Sequence, residues 1–210
     1  MTTHQNMVDD VRAIFGDVAE VQVTDDDFIR WFNDAYIKIA QNSELLVGTD
    51  TPILTAGVKE YSLPADFLKF YRVTWDGNPL LRSTSSEMDQ NYGGYLPEFS
   101  GTPTRYYFKT GFPAKILLFP TPDVVSAGLL VVEYIKRPTL IAALSEGTPF
   151  PEHILPAVKK FLLSKCYELD ENWQQSARLE QEFFSEIRYQ QNEAAHPFTD
   201  SYPAVKDVGD

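Results

Sequence analysis

Residues 24–42 read TDDDFIRWFNDAYIKIAQN and carry the clearest helical pattern in the chain. Thr24 can cap a helix, and Asp27 stands at the third helical position, which is the spacing of a shortened capping box. Apolar side chains then recur at helical spacing in one broad stripe: Phe28, Trp31, Phe32, Ala35, Tyr36 and Ile39. Because a stripe this bulky must be buried, the stretch predicts a helix that packs against other helices.

Both ends of the chain supply partner helices for this stripe. An earlier helical face is predicted from Val8, Val11, Ile14, Phe15 and Val18. A further helix is predicted after Pro151, which suits a first helical position. Pro156 lies early enough in this predicted helix to be tolerated. The face that follows consists of Ile154, Leu155, Val158, Phe161, Leu162, Cys166 and Leu169. After a short break at 170–172, a second face is predicted from Trp173, Ala177, Phe184 and Ile187. Helices joined by so short a loop should lie antiparallel, so we expect a four-helix layer.

The middle of the chain has strand character. Short β-branched or aromatic runs bounded by Gly, Pro or Asp occur at 58–62, 70–75, 80–82, 105–109, 115–119 and 129–135. Asp76-Gly77-Asn78-Pro79 predicts a turn, and 83–91 could hold a short helix capped by Ser85 or Ser86. The spacing indicates an antiparallel sandwich or small barrel.

The predicted fold class is therefore α+β, with a β domain inserted into a helical bundle. We assign residues 1–50 with 145–194 to the helical domain, 51–144 to the β domain and 195–210 to an extended arm. The charge distribution follows the same division: residues 1–50 carry −7, 51–144 carry +1 and 145–210 carry −6.

Composition excludes several classes of function. The 210-residue chain carries a net charge of −12, which argues against general nucleic-acid binding and against docking on anionic lipid. One cysteine, Cys166, excludes a disulfide framework within the chain, and the separated His4, His153 and His196 disfavour a multi-histidine metal site. We expect no cofactor, no metal and no membrane span, since no apolar run of about 18 residues occurs. A polar N-terminus without signal features favours the cytoplasm.

Catalytic motifs are missing from the sequence. It contains no nucleophile elbow, zinc-protease motif or phosphate-binding loop, so we expect no enzyme activity. Asp25–Asp27 is typical of a helix start, and Cys166 is typical of a core residue. An aromatic series, Tyr92, Tyr95, Phe99, Tyr106, Tyr107 and Phe108, has two interpretations. It can form sandwich core and a protein interface, or it can stack on sugars or bases as a carbohydrate-binding module would.

The middle of the chain also carries an ordered series of short motifs. They are YSLPADFL at 61–68, DGNPL at 76–80, SSEMD at 85–89, GTP at 101–103, YYF at 106–108, ILLFPTP at 116–122, VVEY at 131–134 and PFPE at 149–152. This order resembles the head-to-tail adaptor (connector, or head-completion) proteins of tailed bacteriophages. It is most similar to the adaptors of short-tailed phages, the group that contains tail tubular protein A. The resemblance covers about residues 8–194.

The resemblance implies a structural virion protein. It implies a ring, commonly of twelve copies, that joins the portal protein to the tail nozzle and extends the channel through which DNA passes without specific binding. Assembly would take place in the host cytoplasm, and no catalytic residues come with the family. Acidic residues facing the channel would keep DNA from sticking. Another neck or tail-terminator component is the alternative within the same machine.

The end of the chain is predicted to act as an arm. Residues 195–210 lack helical periodicity and include two aromatic residues, Phe198 and Tyr202. We expect the arm to dock along a neighbouring subunit or the portal, with Phe198 and Tyr202 as its anchors. Burying one aromatic side chain there would contribute roughly 1.5–3 kcal/mol before the cost of ordering.

Overall fold

The computed structural model describes residues 3–17, 22–92, 99–111 and 113–195. Two compact units divide the chain: a helical unit made from Met1–Ser43 with Leu140–Asp210, and a β unit made from Glu44–Thr139. Helices from both chain ends and strands from the middle confirm the predicted α+β class.

Five helices are present in the described residues, and a 3-10 turn, Glu152–Ile154, precedes the fourth of them. The helices are α1 (His4–Phe15), α2 (Asp25–Asn42), α3 (Ser85–Tyr92), α4 (Leu155–Leu169) and α5 (Trp173–Ala195). The eight strands are β1 (Val47–Asp50), β2 (Glu60–Ser62), β3 (Phe67–Trp75), β4 (Asn78–Pro79), β5 (Leu81–Arg82), β6 (Arg105–Lys109), β7 (Lys115–Phe119) and β8 (Leu130–Lys136).

Helix α2 starts as its sequence predicts. The Thr24 hydroxyl oxygen accepts from the Asp27 N–H at 3.3 Å, and the Asp27 carboxylate accepts from the Thr24 N–H at 3.1 Å. The bond from the Thr24 side chain holds the pKa of Asp27 below its ordinary value. The capping box is confirmed, and the helix ends at Asn42.

The four long helices of the helical unit run alternately up and down. Helix α1 is antiparallel to α2, since its first residue reaches Tyr36 while Arg12 reaches Asp25. Helix α4 is antiparallel to α5, as predicted, with ring centres 5.0 Å apart between Phe161 and Phe183. Their shared interior holds side chains with no exposed surface: Met7, Val8, Val11, Phe28, Phe32, Tyr36, Ile39, Val158, Leu162 and Phe183.

Some predicted helical faces are wrong. Ile14 and Leu169 are 62% and 56% exposed, and each lies within the last two residues of its helix. In α5 the buried side chains are Ser176, Leu179, Phe183 and Ile187, whereas Trp173 and Ala177 are exposed and Phe184 is half-buried. The predicted residues share one helical face, but the buried face lies beside it, and only Ile187 belongs to both. Pro151 precedes a 3-10 turn instead of opening α4, and Val18 lies outside the described residues.

The β unit is a sandwich of two four-stranded sheets. The first has strand order β1-β8-β3-β4, and the second has β2-β7-β6-β5. Buried side chains from both sheets form one cluster, with Val73, Trp75 and Val132 from the first and Tyr106, Ile116 and Leu118 from the second. Among the eight strands described above, neighbours pair antiparallel except β5 with β6, which is parallel because the connection between them crosses over through α3.

Three details of the β unit differ from the sequence predictions. Strand β1 was missed, because VGTD is short and contains a glycine. The turn at Asp76-Gly77 uses two positive φ angles, 47° and 76°, so Asn78 and Pro79 already belong to β4. Helix α3 is capped by Thr84 rather than by a serine. The Thr84 hydroxyl accepts from the Glu87 N–H at 3.2 Å, and the Glu87 carboxylate accepts from the Thr84 N–H at 2.9 Å.

Candidate assembly surfaces

The aromatic series of the β unit is divided between two cores. Tyr106 lies in the cluster between the sheets, and Tyr107 lies on the opposite face of β6, in a second cluster with Met88, Leu117 and Phe119. Phe108 packs on Phe67 and Phe70 with ring centres 5.7 and 5.6 Å away. Tyr106, Tyr107 and Phe108 therefore pack in the hydrophobic cores, as the sandwich-core interpretation predicted. They do not contribute to an exposed surface on which sugars or bases could stack. Phe99 is 51% exposed, and the side chains of Tyr92 and Tyr95 lie outside the described residues.

Residues with catalytic potential have structural roles. Cys166 is fully buried, and burial raises the pKa of its thiol to about 12, so a thiolate is not formed at neutral pH. Asp25 accepts from the Arg12 guanidinium at 2.9 Å where α1 ends and α2 begins. In the described ranges, no group of three or more His, Cys, Asp or Glu side chains is placed to hold a metal ion. Nor is any helix there long and apolar enough to cross a membrane.

One end of the helical unit exposes large apolar side chains. The end of α1 meets the end of α4, where the ring centres of Phe15 and Tyr167 are 5.5 Å apart, and only three residues separate the end of α4 from the start of α5. Here Ile14, Leu169 and Trp173 are 56–63% exposed. We call these three residues the helical apolar end. Exposed side chains of this kind gathered in one place are typical of a protein interface.

The β unit has its own exposed apolar surface, built from two loops. The Leu54 N–H donates to the Ser126 carbonyl and the Gly57 N–H donates to the Pro122 carbonyl, both at 2.8 Å. These bonds hold residues 51–58 beside 120–129. Four aliphatic side chains project from them, with exposures of 37–74%: Ile53, Val58, Val124 and Val125. We call these four residues the apolar tip.

The tip is almost free of charge. Residues 51–58 contain no charged side chain, and 120–129 contain only Asp123. Ile53 and Val125, at 74% and 73%, are the most exposed large apolar side chains in the described part of the chain. In a protein of which 23% of residues are charged, such a surface indicates a site that is covered when the protein works.

Two exposed apolar surfaces, one on each unit, indicate an assembly component, and comparison with known families agrees. The family model described as SU10 adaptor protein matches residues 2–202. The chain belongs to the SU10 adaptor protein family. It is a structural adaptor of a phage, is incorporated in the virion and interacts with other head or tail proteins. The predicted resemblance to phage adaptors is confirmed at the level of the family. A search of curated proteins found no match to this chain.

The helical unit of the adaptor has an acidic exterior. Its exposed carboxylates include Asp9, Asp26, Asp34, Glu152, Asp170 and Glu171. Its described lysines lie beside carboxylates: Lys159 with Asp10, Lys38 with Glu180 at 2.9 Å, and Lys160 with Glu186 at 2.8 Å. Much of the positive charge on these helices is therefore paired, and unpaired acids dominate the surface.

The interface residues predicted from the sequence, Phe198 and Tyr202, lie outside the described residues, although the family match reaches both. Sequence reasoning missed the two apolar surfaces, because exposure depends on which helical face or loop is left uncovered. It also missed His4, although its spacing from Met7, Val8 and Val11 places all four on one helical face.

Proposed function

We propose that this adaptor forms a closed ring, commonly of twelve copies, between the portal vertex and the tail of the virion. The ring extends the DNA channel and offers a platform to the tail nozzle. The copies join the ring in the host cytoplasm during assembly, and within the phage adaptors we propose that the protein is similar to the group of tail tubular protein A.

The family match over residues 2–202 is the observation that carries this proposal. The exposed apolar surfaces support it, because a ring requires each subunit to present two different faces to its neighbours. The helical apolar end and the apolar tip are two such faces on the two units of one chain. Burial of one such side chain on assembly would contribute roughly 1.5–3 kcal/mol.

The acidic exterior supports a channel that does not bind DNA. Each chain contributes a net charge of −12, and a ring multiplies it. Carboxylates that line a channel repel the phosphates of passing DNA, whereas a basic lining would hold them by releasing counterions. We propose a purely structural role without catalysis, which accords with the inert, buried state of Cys166.

The arm, residues 195–210, completes the proposal. We propose that it docks on the portal, with Phe198 and Tyr202 as its apolar anchors. Deleting residues 196–210 should then weaken attachment to the portal while leaving the folded units unchanged, as judged by thermal unfolding. Attachment of equal strength after the deletion would contradict the docking role.

Native mass spectrometry of the adaptor, with and without the purified portal of the same phage, tests the proposed function. We expect a complex that contains one portal ring and one fixed, high number of adaptor copies. A matched pair of variants, Trp173→Ser and the adjacent exposed Gln174→Ser, tests whether the helical apolar end takes part. An adaptor that stays monomeric and leaves the portal unbound would contradict the proposal.

A further inference from the structure

A small cavity with mainly apolar walls lies in the β unit. Its volume is about 160 Å³, and its walls include Leu63, Pro64, Phe67, Pro113, Ala114 and Arg137. Two backbone bonds fix these walls. The Leu63 N–H donates to the Ala114 carbonyl at 2.9 Å, and the Arg137 N–H donates to the Asp66 carbonyl at 2.7 Å. The cavity is therefore a built feature of the sandwich.

The size and lining of the cavity suit one aliphatic side chain. An engineered apolar cavity of about 150 Å³ in another protein holds benzene, so a volume of this order admits the side chain of a valine or isoleucine. Among the described residues that line it, Arg137 is the one with a charged side chain, and Arg137 is exposed. A complementary ligand would therefore present an aliphatic group with one carboxylate beside it.

The apolar tip matches this description. It offers exposed Ile53 and Val125 on adjoining loops, and its one charged residue, Asp123, is exposed two positions before Val125. The aliphatic side chains of the tip therefore match the apolar walls of the cavity. The negative charge of Asp123 matches the positive charge of Arg137.

The tip and the cavity lie at opposite ends of the same two strands. Strand β8 begins at Leu130, directly after the tip loop, and ends at Lys136, directly before Arg137. Strand β7 begins beside Ala114 and ends beside Pro120. Seven residues of strand span roughly 20 Å, so the tip cannot enter the cavity of its own chain.

We propose that the apolar tip of one adaptor copy inserts into the apolar cavity of the next copy, with Asp123 beside Arg137. A contact between different faces at opposite ends of a unit is heterologous, and it closes into a ring when the rotation between copies is suitable. This inference rests on the proposed function, because it requires a ring. It identifies one of the contacts between neighbouring copies.

The contact is too small to hold two copies together alone. The tip has four aliphatic side chains, whereas a stable interface buries about 800 Å² on each partner. The insertion therefore acts together with the other contacts of an assembled ring. It specifies the order and direction of neighbours rather than a free dimer.

Cysteine cross-linking in the portal-bound adaptor tests the insertion. Val125→Cys places a thiol on the tip and Ala114→Cys places one in the cavity, while the native Cys166 is buried and unreactive. On oxidation the double variant should give a ladder of covalent oligomers, because each copy has two different partners. A control pairs Ala114→Cys with Leu81→Cys on β5, which is 61% exposed against 73% for Val125, and should give no ladder.

Charge exchange supplies a second readout. Asp123→Arg and Arg137→Asp should each raise the adaptor concentration at which half of the portal is occupied, by about two- to five-fold. The combined Asp123→Arg/Arg137→Asp variant should recover most of the lost affinity for the portal. Structural damage at either position would not be repaired by the second substitution.

The outcomes separate this inference from the proposed function. A ring on the portal without a ladder from the double variant overturns the insertion and leaves the ring standing. Dimers from Val125→Cys alone, or cross-links from Val125→Cys to the portal, overturn it by showing another occupant for the tip. Failure of the adaptor to form any ring on the portal overturns both.

Discussion

At the scale of single residues, His4 of α1 is a buried polar side chain with a bond to each ring nitrogen. It is fully buried, and its Nδ1 lies 2.6 Å from the Glu146 carbonyl oxygen while its Nε2 lies 2.5 Å from the Tyr36 hydroxyl. Because a carbonyl only accepts, Nδ1 carries the proton and Nε2 accepts from Tyr36. Phe32 packs edge-on against the ring at 4.7 Å. Neutral His4 is thus the form that this site accommodates.

Stability should therefore fall as the pH falls below 6.5. Burial lowers the pKa of His4 from its ordinary value of 6.5, although the Glu146 carbonyl opposes this shift. Above 6.5 the ring is neutral in both the folded and the unfolded chain. Below 6.5 the unfolded chain takes up a proton that the folded chain resists, so the free energy of unfolding declines until the lowered pKa is reached.

Urea unfolding between pH 7.5 and 5 measures this effect. His4→Gln should be less stable at pH 7.5 but should show a shallower decline with pH than the natural chain. His153→Gln, at an exposed position, is the control and should keep the natural slope. Equal slopes for the natural chain and His4→Gln would contradict the assignment.

Gly48 in β1 is required by its neighbour across the sheet. A Cβ atom at this position would lie 2.8 Å from Cζ of Tyr134, whose ring is buried and whose hydroxyl donates to the Asp66 carboxylate at 3.0 Å. We expect Gly48→Ala to destabilise the β unit by about 1–3 kcal/mol through overpacking. Gly147→Ala, where a Cβ meets nothing within 4 Å, should stay within about 0.5 kcal/mol in the same unfolding experiment. An equal effect of both substitutions would contradict this explanation.

At the scale of elements, the packing of α4 against α5 depends on which of two adjacent phenylalanines faces inward. Phe183 is fully buried against Phe161, whereas Phe184 is half-buried and lies beside Lys38. Phe183→Ala should cost about 3–5 kcal/mol of unfolding free energy. Phe184→Ala should cost about 1 kcal/mol, a typical value for a single substitution. The reverse order would mean that the predicted face of α5, and not the observed one, is correct.

Local signals in the sequence determine some elements fully. The capping box at Thr24 and Asp27 lies within four residues, so the start of α2 could be predicted, and β6 and β7 have the predicted bounds. Strand β1 could not be predicted, because its only partner is β8, more than eighty residues away. The face of α5 is likewise set by the helices around it, since its own sequence has apolar residues on more than one side.

At the scale of the whole molecule, the acidic ends and the family resemblance were visible in the sequence, but the assembly surfaces were not. The apolar tip unites residues 51–58 and 120–129, two distant segments that are joined by the Leu54–Ser126 and Gly57–Pro122 backbone bonds. The helical apolar end unites the termini of three helices in the same way. Surfaces built from distant segments become visible only after the chain has folded.

A substitution at the helical apolar end should weaken assembly on the portal without changing the stability of the isolated chain. Trp173 is 63% exposed, so Trp173→Ser removes little packing from the isolated chain and should leave its thermal unfolding close to that of the natural protein. The variant should bind the portal more weakly in native mass spectrometry, while Gln174→Ser should bind normally. Normal binding by Trp173→Ser would exclude this end from the interfaces.

Cryo-electron microscopy of the neck in virions that carry this adaptor would show whether its copies form a ring on the portal. We expect a closed ring of adaptor copies, coaxial with the portal, with each β unit contacting the next and carboxylates facing the channel. Density for the adaptor as single, separated copies, or a channel lined mainly by Lys and Arg, would contradict it.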